Sequence, residues 1–247
     1  MPINNAGDTV TFTDERKHPR ASVVGLFLLA VVLCATSSLR AAVSSLLLQI
    51  GGPVYQQTGT DIPMTITLLN TSDQAMVISR TDFVGNNADL DVVFRVTSYK
   101  GAPIGETDLG LYLDGQGPAP TSQSRRSATL PAGGQLQETE RLNTIYSLGT
   151  PGFYLVQVIG LRSGAAVQPS NTLPLIVTSG AEAPIPGDLT GDSIVDLDDL
   201  AVIQAALNTT ALGTGDPRDL NHDGVINIQD ARILTTLCTY PRCASQP

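Results

Sequence analysis

Apolar and polar residues alternate with a period of two through most of the middle of the chain, which predicts short β-strands. The clearest runs are 62–68, 90–96, 154–158 and 173–177, with weaker ones at 45–50, 74–79 and 135–142. Turn-forming residues separate the runs, and no stretch from 44 to 178 shows a helical period. The range 101–127, rich in Gly, Pro and Ser, is typical of a solvated loop. Roughly seven short strands therefore predict an antiparallel β-sandwich.

The first 42 residues follow a different pattern. Residues 1–20 are polar and contain three basic side chains, 21–35 are almost uninterruptedly apolar, and small residues lead to Ala42. This order predicts a secretory signal peptide over residues 1–42, with Ser37 as an alternative exit and an uncleaved anchor as the alternative interpretation. The apolar run is shorter than the roughly 20 residues that span a bilayer. We therefore expect a secreted or cell-surface protein with no membrane span in the mature chain.

The remaining residues divide into two regions joined by a short connection. Residues 43–178 carry the strands, whose spacing favours an immunoglobulin-like sandwich. The range 179–187, with two Pro and two Gly, is typical of a semi-stiff linker. Beyond it, 188–243 contains two apolar helical patterns, at 200–207 and 231–237. The predicted fold class is thus mainly β, an immunoglobulin-like β-sandwich followed by a small two-helix domain.

The charge of the chain is acidic and unevenly distributed. Twenty-three acidic and 14 basic residues give a net charge of −9, which argues against binding to nucleic acid. Of the acidic residues 18 are Asp and five are Glu, and nine of the Asp lie between 188 and 230. Such a local surplus of short carboxylates suggests ligands for a cation.

Those aspartates belong to an internal repeat with an offset of 31 residues. The copies are DLTGDSIVDLDD, here called loop 1 (188–199), and DLNHDGVINIQD, here called loop 2 (219–230). Both place oxygen-bearing side chains at positions 1, 3, 5, 9 and 12, the spacing of an EF-hand calcium loop, in which position 7 adds its backbone carbonyl. We therefore predict two calcium sites. Their ligands are Asp188, Thr190, Asp192, Ile194, Asp196 and Asp199 in loop 1, and Asp219, Asn221, Asp223, Val225, Asn227 and Asp230 in loop 2.

Two loops, each followed but not preceded by a helix, with Asp rather than Glu at position 12, resemble the dockerin type I module. The resemblance covers 187–243. It implies two helices packed antiparallel about a pseudo-twofold axis, docking to a cohesin-like protein, and an accessory role in polysaccharide breakdown with at most indirect contact to polysaccharide. The alternative is a calcium-stabilised structural module of an extracellular or cell-surface protein, without a cohesin partner.

The two loops depart from the dockerin pattern at a few positions. Loop 1 has Ser193 at position 6, where Gly normally supplies the positive φ, and Thr190 at position 3. Loop 2 has Gly224 at position 6 and is predicted to bind calcium more tightly. Positions 10 and 11, often Ser-Thr in cohesin-binding dockerins, are Leu-Asp in loop 1 and Ile-Gln in loop 2.

A second resemblance concerns the sandwich. The segments GTDIPMTITLLNTSDQAMVI (59–78) and LNTIYSLGTPGFYLVQV (142–158) are similar to the immunoglobulin-like domain that precedes the catalytic part of deuterolysin-type metallopeptidases. The zinc motif of those peptidases, two His around a Glu on one helix, is absent from this sequence. The resemblance therefore implies a fold and no proteolysis.

Catalysis is not expected elsewhere either. The two His of the chain, His18 and His222, both lie outside the sandwich, which excludes His-dependent nucleophiles from it. A pair of carboxyl groups would suffice for a glycosidase, but the absence of Trp argues against a sugar-binding surface. We predict that the protein is not an enzyme.

The cysteines complete the prediction. Cys34 lies in the predicted signal peptide, which leaves Cys238 and Cys243 in the segment CTYPRC. In an exported chain such a pair is expected to form a disulfide, the alternatives being two free thiols or a metal site.

Overall fold

The computed structural model describes residues 45–83, 91–118, 123–180 and 184–245. The predicted signal peptide lies outside these residues, as do residues 181–183 of the predicted linker. All described residues fall within one compact unit, Ala42–Pro247. Among them, no helix is both long and apolar enough to cross a membrane.

The middle of the chain contains nine strands and two short helices within its described residues. In chain order they are β1 (Leu46–Gly51), β2 (Tyr55–Gln57), β3 (Pro63–Asn70), β4 (Met76–Phe83), β5 (Val92–Ser98), α1 (Asp108–Leu113), β6 (Gln123–Leu130), β7 (Gln135–Arg141), α2 (Leu142–Ile145), β8 (Gly152–Leu161) and β9 (Leu173–Thr178). The C-terminal region adds α3 (Leu197–Gln204), β10 (Thr209–Thr210), β11 (Val225–Ile226), α4 (Ile228–Leu237) and a 3₁₀ turn (Pro241–Cys243).

The strands form several sheets, an arrangement consistent with a β-sandwich. One sheet has the order β1-β3-β7 and a second the order β2-β9-β8-β5, while β4 and β6 form a two-stranded ribbon. All neighbours are antiparallel except β2, which runs parallel to β9. The alternating apolar residues of the two larger sheets meet in one core. Its members include Leu46, Leu48, Ile66, Leu68, Val96, Val156, Val158, Leu175 and Val177.

Two sequence-based expectations about this region are wrong. The stretch 101–127 is not one loop, because α1 and the start of β6 lie in it, and the stretch 44–178 is not free of helix. Helix α1 is capped by Thr107, whose side chain accepts a hydrogen bond from the Gly110 N–H. Gly110 must be glycine, since a Cβ there would lie 2.4 Å from the Ile145 carbonyl oxygen. Strand β6 has almost no apolar alternation in its sequence QSRRSATL, yet it pairs with β4 over eight positions.

Part of the second sheet, around β9 and the start of β8, is buried on both of its faces. Tyr55 pairs with Ile176 and Ile176 with Phe153, so one row of residues crosses β2, β9 and β8. Phe153 and Ile176 face away from the sandwich core and join a second apolar cluster. The other buried members of that cluster are Leu189, Val195, Val202, Ile203, Ala206, Ile226, Ala231 and Leu234. The C-terminal region is therefore packed on the sandwich.

The predicted disulfide is present. Cys238 and Cys243 are bonded, with their α-carbons 5.1 Å apart. Cys238 is the C-cap of α4 and contacts the second apolar cluster. The disulfide thereby fixes the end of the chain to the end of that helix.

Candidate metal centre

Loop 1 is folded around the carboxylate of Asp199, at position 12. Its Oδ1 accepts the N–H groups of Leu189 and Thr190, each at 2.8 Å, and its Oδ2 accepts the N–H of Asp196, also at 2.8 Å. Asp199 has no exposed surface. Buried backbone N–H groups need hydrogen-bond acceptors, and this carboxylate supplies them for three N–H groups of the loop. The loop therefore closes around this one side chain.

Loop 2 repeats the arrangement around Asp230. Its Oδ1 accepts the N–H groups of Leu220 at 2.9 Å and Asn221 at 3.3 Å, and its Oδ2 accepts the N–H of Asn227 at 2.8 Å. Asp230 is likewise fully buried. The two position-12 carboxylates thus bond positions 2, 3 and 9 of their own loops.

The position-1 carboxylates close the other half of each turn. Asp188 and Asp219 are both nearly buried, and each oxygen of each carboxylate accepts one backbone N–H. The four bonds are Gly191 N to Asp188 Oδ1 at 2.7 Å, Ser193 N to Asp188 Oδ2 at 2.9 Å, Asp223 N to Asp219 Oδ1 at 3.1 Å and Gly224 N to Asp219 Oδ2 at 2.9 Å. Position 6 is bonded in both loops.

The backbone conformations of the two loops match. Positions 4 and 6 have positive φ in both, with 73° at Gly191, 73° at Ser193, 58° at His222 and 86° at Gly224. Ser193 therefore adopts the conformation that glycine takes in loop 2, at the steric cost that a side chain pays in the left-handed region.

Position 9 begins the helix after each loop. The side chain of Asp196 accepts the N–H of Asp198 at 2.7 Å, and that of Asn227 accepts the N–H of Gln229 at 2.7 Å. With the position-12 carboxylate bonded back to the N-cap amide, each helix starts in a capping box. The side chains at positions 9 and 12 thus serve both the loop and the helix.

Position 8 joins each loop to the opposite helix. The Thr239 N–H, just after α4, donates to the Val195 carbonyl at 2.9 Å, and the Val195 N–H donates to Thr239 Oγ1 at 2.9 Å. Asn208 lies after α3, and its N–H donates to the carbonyl of Ile226, position 8 of loop 2, at 2.7 Å. Asn208 and Thr239 are themselves 31 residues apart, so the repeat extends beyond the loops.

Burial disfavours the ionised form of two carboxyl groups in loop 1. Burial raises the pKa of Asp199 to about 6 despite the backbone N–H groups that bond it, and burial also raises the pKa of Asp188. Burial, together with the charge of Asp188, raises the pKa of Tyr55 on β2. Buried carboxylates of this kind are stabilised when a cation neutralises them.

The remaining predicted ligands lie on the loops as follows. Asp192 and Asp223, at position 5, are exposed, and each accepts the N–H of position 7 at 2.9 Å. In loop 2 the side-chain amides of Asn221 and Asn227 reach Asp223 Oδ2, at 2.9 and 3.5 Å. Positions 3, 5 and 9 of loop 2 are therefore brought together.

In loop 1 the side-chain oxygen at position 3 lacks a hydrogen-bond partner. The Thr190 hydroxyl is buried without a hydrogen-bond partner of ordinary geometry, although it lies close enough to the Asp199 carboxylate to lower that group's pKa. Within the part of the chain that the structure describes, no three His, Cys, Asp or Glu side chains converge as a ready metal cluster. The side chains at the predicted positions all offer hard oxygen ligands, and one of these oxygens, the Thr190 hydroxyl, is buried without a hydrogen-bond partner. This set of ligands fits calcium.

Sequence analysis missed a pair of charged residues beside loop 2. Asp216 and Arg218 are both buried, with Arg218 Nη2 2.8 Å from Asp216 Oδ2. Burial opposes ionisation of Asp216, but the bonds from Arg218 and from the Leu212 N–H hold the pKa of its carboxyl below the usual value. Asp216 lies outside the two loops, so their spacing gave no signal for it; only the cluster of nine aspartates included it.

Comparison with known proteins gives short or distant likenesses. No protein-family model matches the chain. The long isoform of an ulvan lyase from Pseudoalteromonas sp. (strain PLSV) is 48% identical over 60 residues, which are 24% of this chain and 6% of the lyase. The chain thus spans a small part of the length of this curated relative.

Solved structures resemble the chain only loosely. The CARDB domain of the PF1109 protein from Pyrococcus furiosus, solved in complex with di-metal ions, shares 12% identity over 56% of this chain and 90% of that domain, with a TM-score of 0.30. A β-glucosidase from Listeria innocua in complex with gluconolactone shares 16% identity over 56% of this chain and 16% of the enzyme, with a TM-score of 0.29.

Proposed function

We propose that residues 188–243 form a dockerin type I-like module that binds two calcium ions and docks an exported, non-catalytic, immunoglobulin-like β-sandwich onto a cohesin-like protein. The observation that carries the proposal is the matched pair of loops. Positions 5, 9 and 12 accept the same backbone N–H groups in both loops, position 1 accepts the N–H of position 6 in both, and positions 4 and 6 share a positive φ. An acidic linker without a metal-binding role is not expected to form the same hydrogen-bond network twice.

The proposed ligands follow from these positions. The side chains at positions 1, 3, 5, 9 and 12 and the carbonyl at position 7 of each loop would hold one ion. Calcium supplies positive charge to the buried carboxylates and takes six to eight oxygens at flexible geometry. The chain contributes the hydrogen bonds from backbone N–H groups that hold the position-1 and position-12 carboxylates facing into the turn.

The surface left free by this packing supports docking. The outward polar residues of the module are exposed, namely Gln204, Asn208, Gln229, Arg232, Thr235 and Thr236. Position 10 adds an apolar residue to each half, with Leu197 49% and Ile228 56% exposed. Paired exposed apolar side chains beside a polar rim are typical of a protein-binding surface.

The test is recovery of a partner from the host's secreted proteins, with and without calcium. The wild-type chain is expected to recover a partner in calcium only, and Arg232→Asp combined with Thr235→Asp is expected to abolish recovery without changing calcium affinity. Lys100→Asp, an exposed charge reversal on the sandwich, is the control and should recover the partner normally. Recovery by the double variant would contradict docking through α4.

A second function, structural support of the sandwich by a calcium-stabilised C-terminal cap, is favoured by one observation. The C-terminal region covers the outer face of the second sheet. If support is the only role, the exposed residues of α4 can be changed without loss at constant stability, and the wild-type chain will recover no calcium-dependent partner.

The predicted export signal and the dockerin-like module together support a proposal for the setting of the protein. We propose that residues 1–42 export the chain and that it assists polysaccharide breakdown through its partner, its own contact with polysaccharide being indirect. The short match to an ulvan lyase supports this setting. Release of reducing sugar from ulvan by the purified chain alone would contradict a non-catalytic role.

A further inference from the structure

We infer that loop 1 locks the C-terminal module to the sandwich, so that calcium in loop 1, but not in loop 2, stabilises the pairing of β9 with β2. The inference rests on the proposed calcium binding. It makes loop 1 a structural part of the sandwich edge as well as a metal loop.

The first support is a direct backbone contact. The Ser179 N–H, one residue beyond β9, donates to the Gly191 carbonyl at position 4 of loop 1, at 2.8 Å. Gly191 lies so close to the end of β9 that a Cβ on it would be 2.2 Å from the Val177 carbonyl oxygen. Loop 1 and the strand therefore meet without a side chain between them.

The repeat provides an internal comparison. The residue equivalent to Gly191 in loop 2 is His222, which has a similar positive φ and carries an exposed side chain. The loop conformation at position 4 thus accepts a side chain, so contact with the sandwich is what requires glycine at 191. Loop 1 faces the sandwich, and position 4 of loop 2 faces solvent.

The strand held by loop 1 also holds β2. The Thr58 N–H, just after β2, donates to the Thr178 carbonyl at 2.9 Å, and the Ile176 N–H donates to the Val54 carbonyl at 2.6 Å. Strand β2 has three residues and pairs only with β9 among the described strands. Anything that fixes the end of β9 therefore limits opening of this edge.

The size of the effect follows from linkage. If the edge opens only when loop 1 has released its ion, calcium at 100 times its dissociation constant lowers the open population about 100-fold. Exchange of the Ser179 and Thr58 amides with deuterium should slow by that factor. The Asn70 amide, bonded to Gly134 O in the other sheet, should change little.

The experiment measures amide exchange by NMR on the full chain, in calcium and in chelator, with calorimetry to count bound ions. Asp192→Ala and Asp223→Ala are matched variants, because both residues occupy exposed position 5 and accept the backbone N–H of position 7. Asp192→Ala is expected to abolish the slowing of Ser179 and Thr58 exchange, and Asp223→Ala to leave it in place. Gly191→His, which places the position-4 residue of loop 2 in loop 1, should lose the slowing even at calcium concentrations at which calorimetry counts two bound ions.

The outcomes separate the two proposals. Two bound ions with no slowing at Ser179 and Thr58 would overturn the lock and leave the calcium sites standing. Equal loss of slowing in the Asp192 and Asp223 variants would overturn the assignment to loop 1. A wild-type chain that binds no calcium would overturn both proposals. If Gly191→His does not fold, the wild-type and position-5 comparisons still decide the question.

Discussion

The guanidinium of Arg218 lies over the ring of Phe153, 5.0 Å from its centroid. The same guanidinium donates from Nε and Nη2 to the two oxygens of Asp216, at 2.9 and 2.8 Å. Arg218 directly precedes position 1 of loop 2, and Phe153 belongs to β8. A buried ion pair next to one calcium loop is therefore seated on the sandwich.

Replacing Arg218 tests that contact. Arg218→Ala leaves the Asp216 carboxylate buried without its partner and is expected to reduce the free energy of unfolding by about 3 kcal/mol. Phe153→Leu keeps most of the apolar volume and removes the cation–π contact, for an expected loss of about 1 kcal/mol. Urea denaturation of the full chain measures both, and similar losses for the two variants would contradict a dominant role for the ion pair.

Position 6 is expected to decide which loop binds calcium more tightly. Ser193→Gly removes the cost of a side chain at φ 73°, about 1 kcal/mol, and should tighten the loop 1 site about fivefold. The reciprocal Gly224→Ser should weaken loop 2 by a similar factor. Calorimetric titration resolves the two sites, and unchanged affinities in both variants would show that position 6 does not set the ranking.

The aspartate ligands give a second measure of the same ranking. Asp219→Ala or Asp230→Ala is expected to damage overall calcium affinity more than Asp188→Ala or Asp199→Ala, because loop 2 has glycine at position 6. The four variants remove equivalent amide-bonded carboxylates, so each pair controls for the loss of loop structure. Equal losses in calorimetric titration would remove the predicted difference between the sites.

The disulfide should support loop 1 more than loop 2. Cys238→Ser with Cys243→Ser frees the segment that holds Thr239 against Val195, and should cost about 2 kcal/mol of unfolding free energy. Loop 2 is paired through Asn208 instead, so only the loop 1 affinity for calcium is expected to fall. Thr239→Val, which removes one hydroxyl bond, should give a smaller effect in the same direction.

Removal of the metal should have its largest effect on the module in isolation. Helices α3 and α4 have eight and 10 residues, fewer than the about 12 that a helix needs to be even marginally stable alone in water. A segment comprising 188–243 also lacks Phe153 and Ile176, on which it packs. We expect this segment to show a helical circular dichroism signal in millimolar calcium and to lose it in excess chelator. Identical spectra under the two conditions would contradict calcium-dependent folding.

Short-range contacts left clearer signals in the sequence than distant packing did. The helical patterns at 200–207 and 231–237 mark α3 and α4, although both helices begin three residues earlier, at Leu197 and Ile228. The hydrogen bonds of the loop carboxylates join groups within 12 residues of one another, and such bonds form wherever that segment folds. Strands β3 and β5 were visible because each alternates around a single core, and β8 was visible over 154–158 for the same reason.

The misses share one physical cause, which is burial by residues far away in the chain. Phe153 and Ile176 lie out of phase with the core residues of their strands, and an apolar residue in both phases is the signature of a strand covered on both faces. Recognising it required taking LPLIVT as a continuous apolar run. Strand β6 is fixed by its partner β4 and not by its own pattern.

The crossed pairing at position 8 makes the two repeats depend on each other. The residue after each helix bonds the loop of the other repeat, so a solitary repeat leaves both groups unpaired. Two identical copies would satisfy each other in a closed twofold dimer. The module is therefore one cooperative unit, because neither repeat completes its hydrogen bonds without the other.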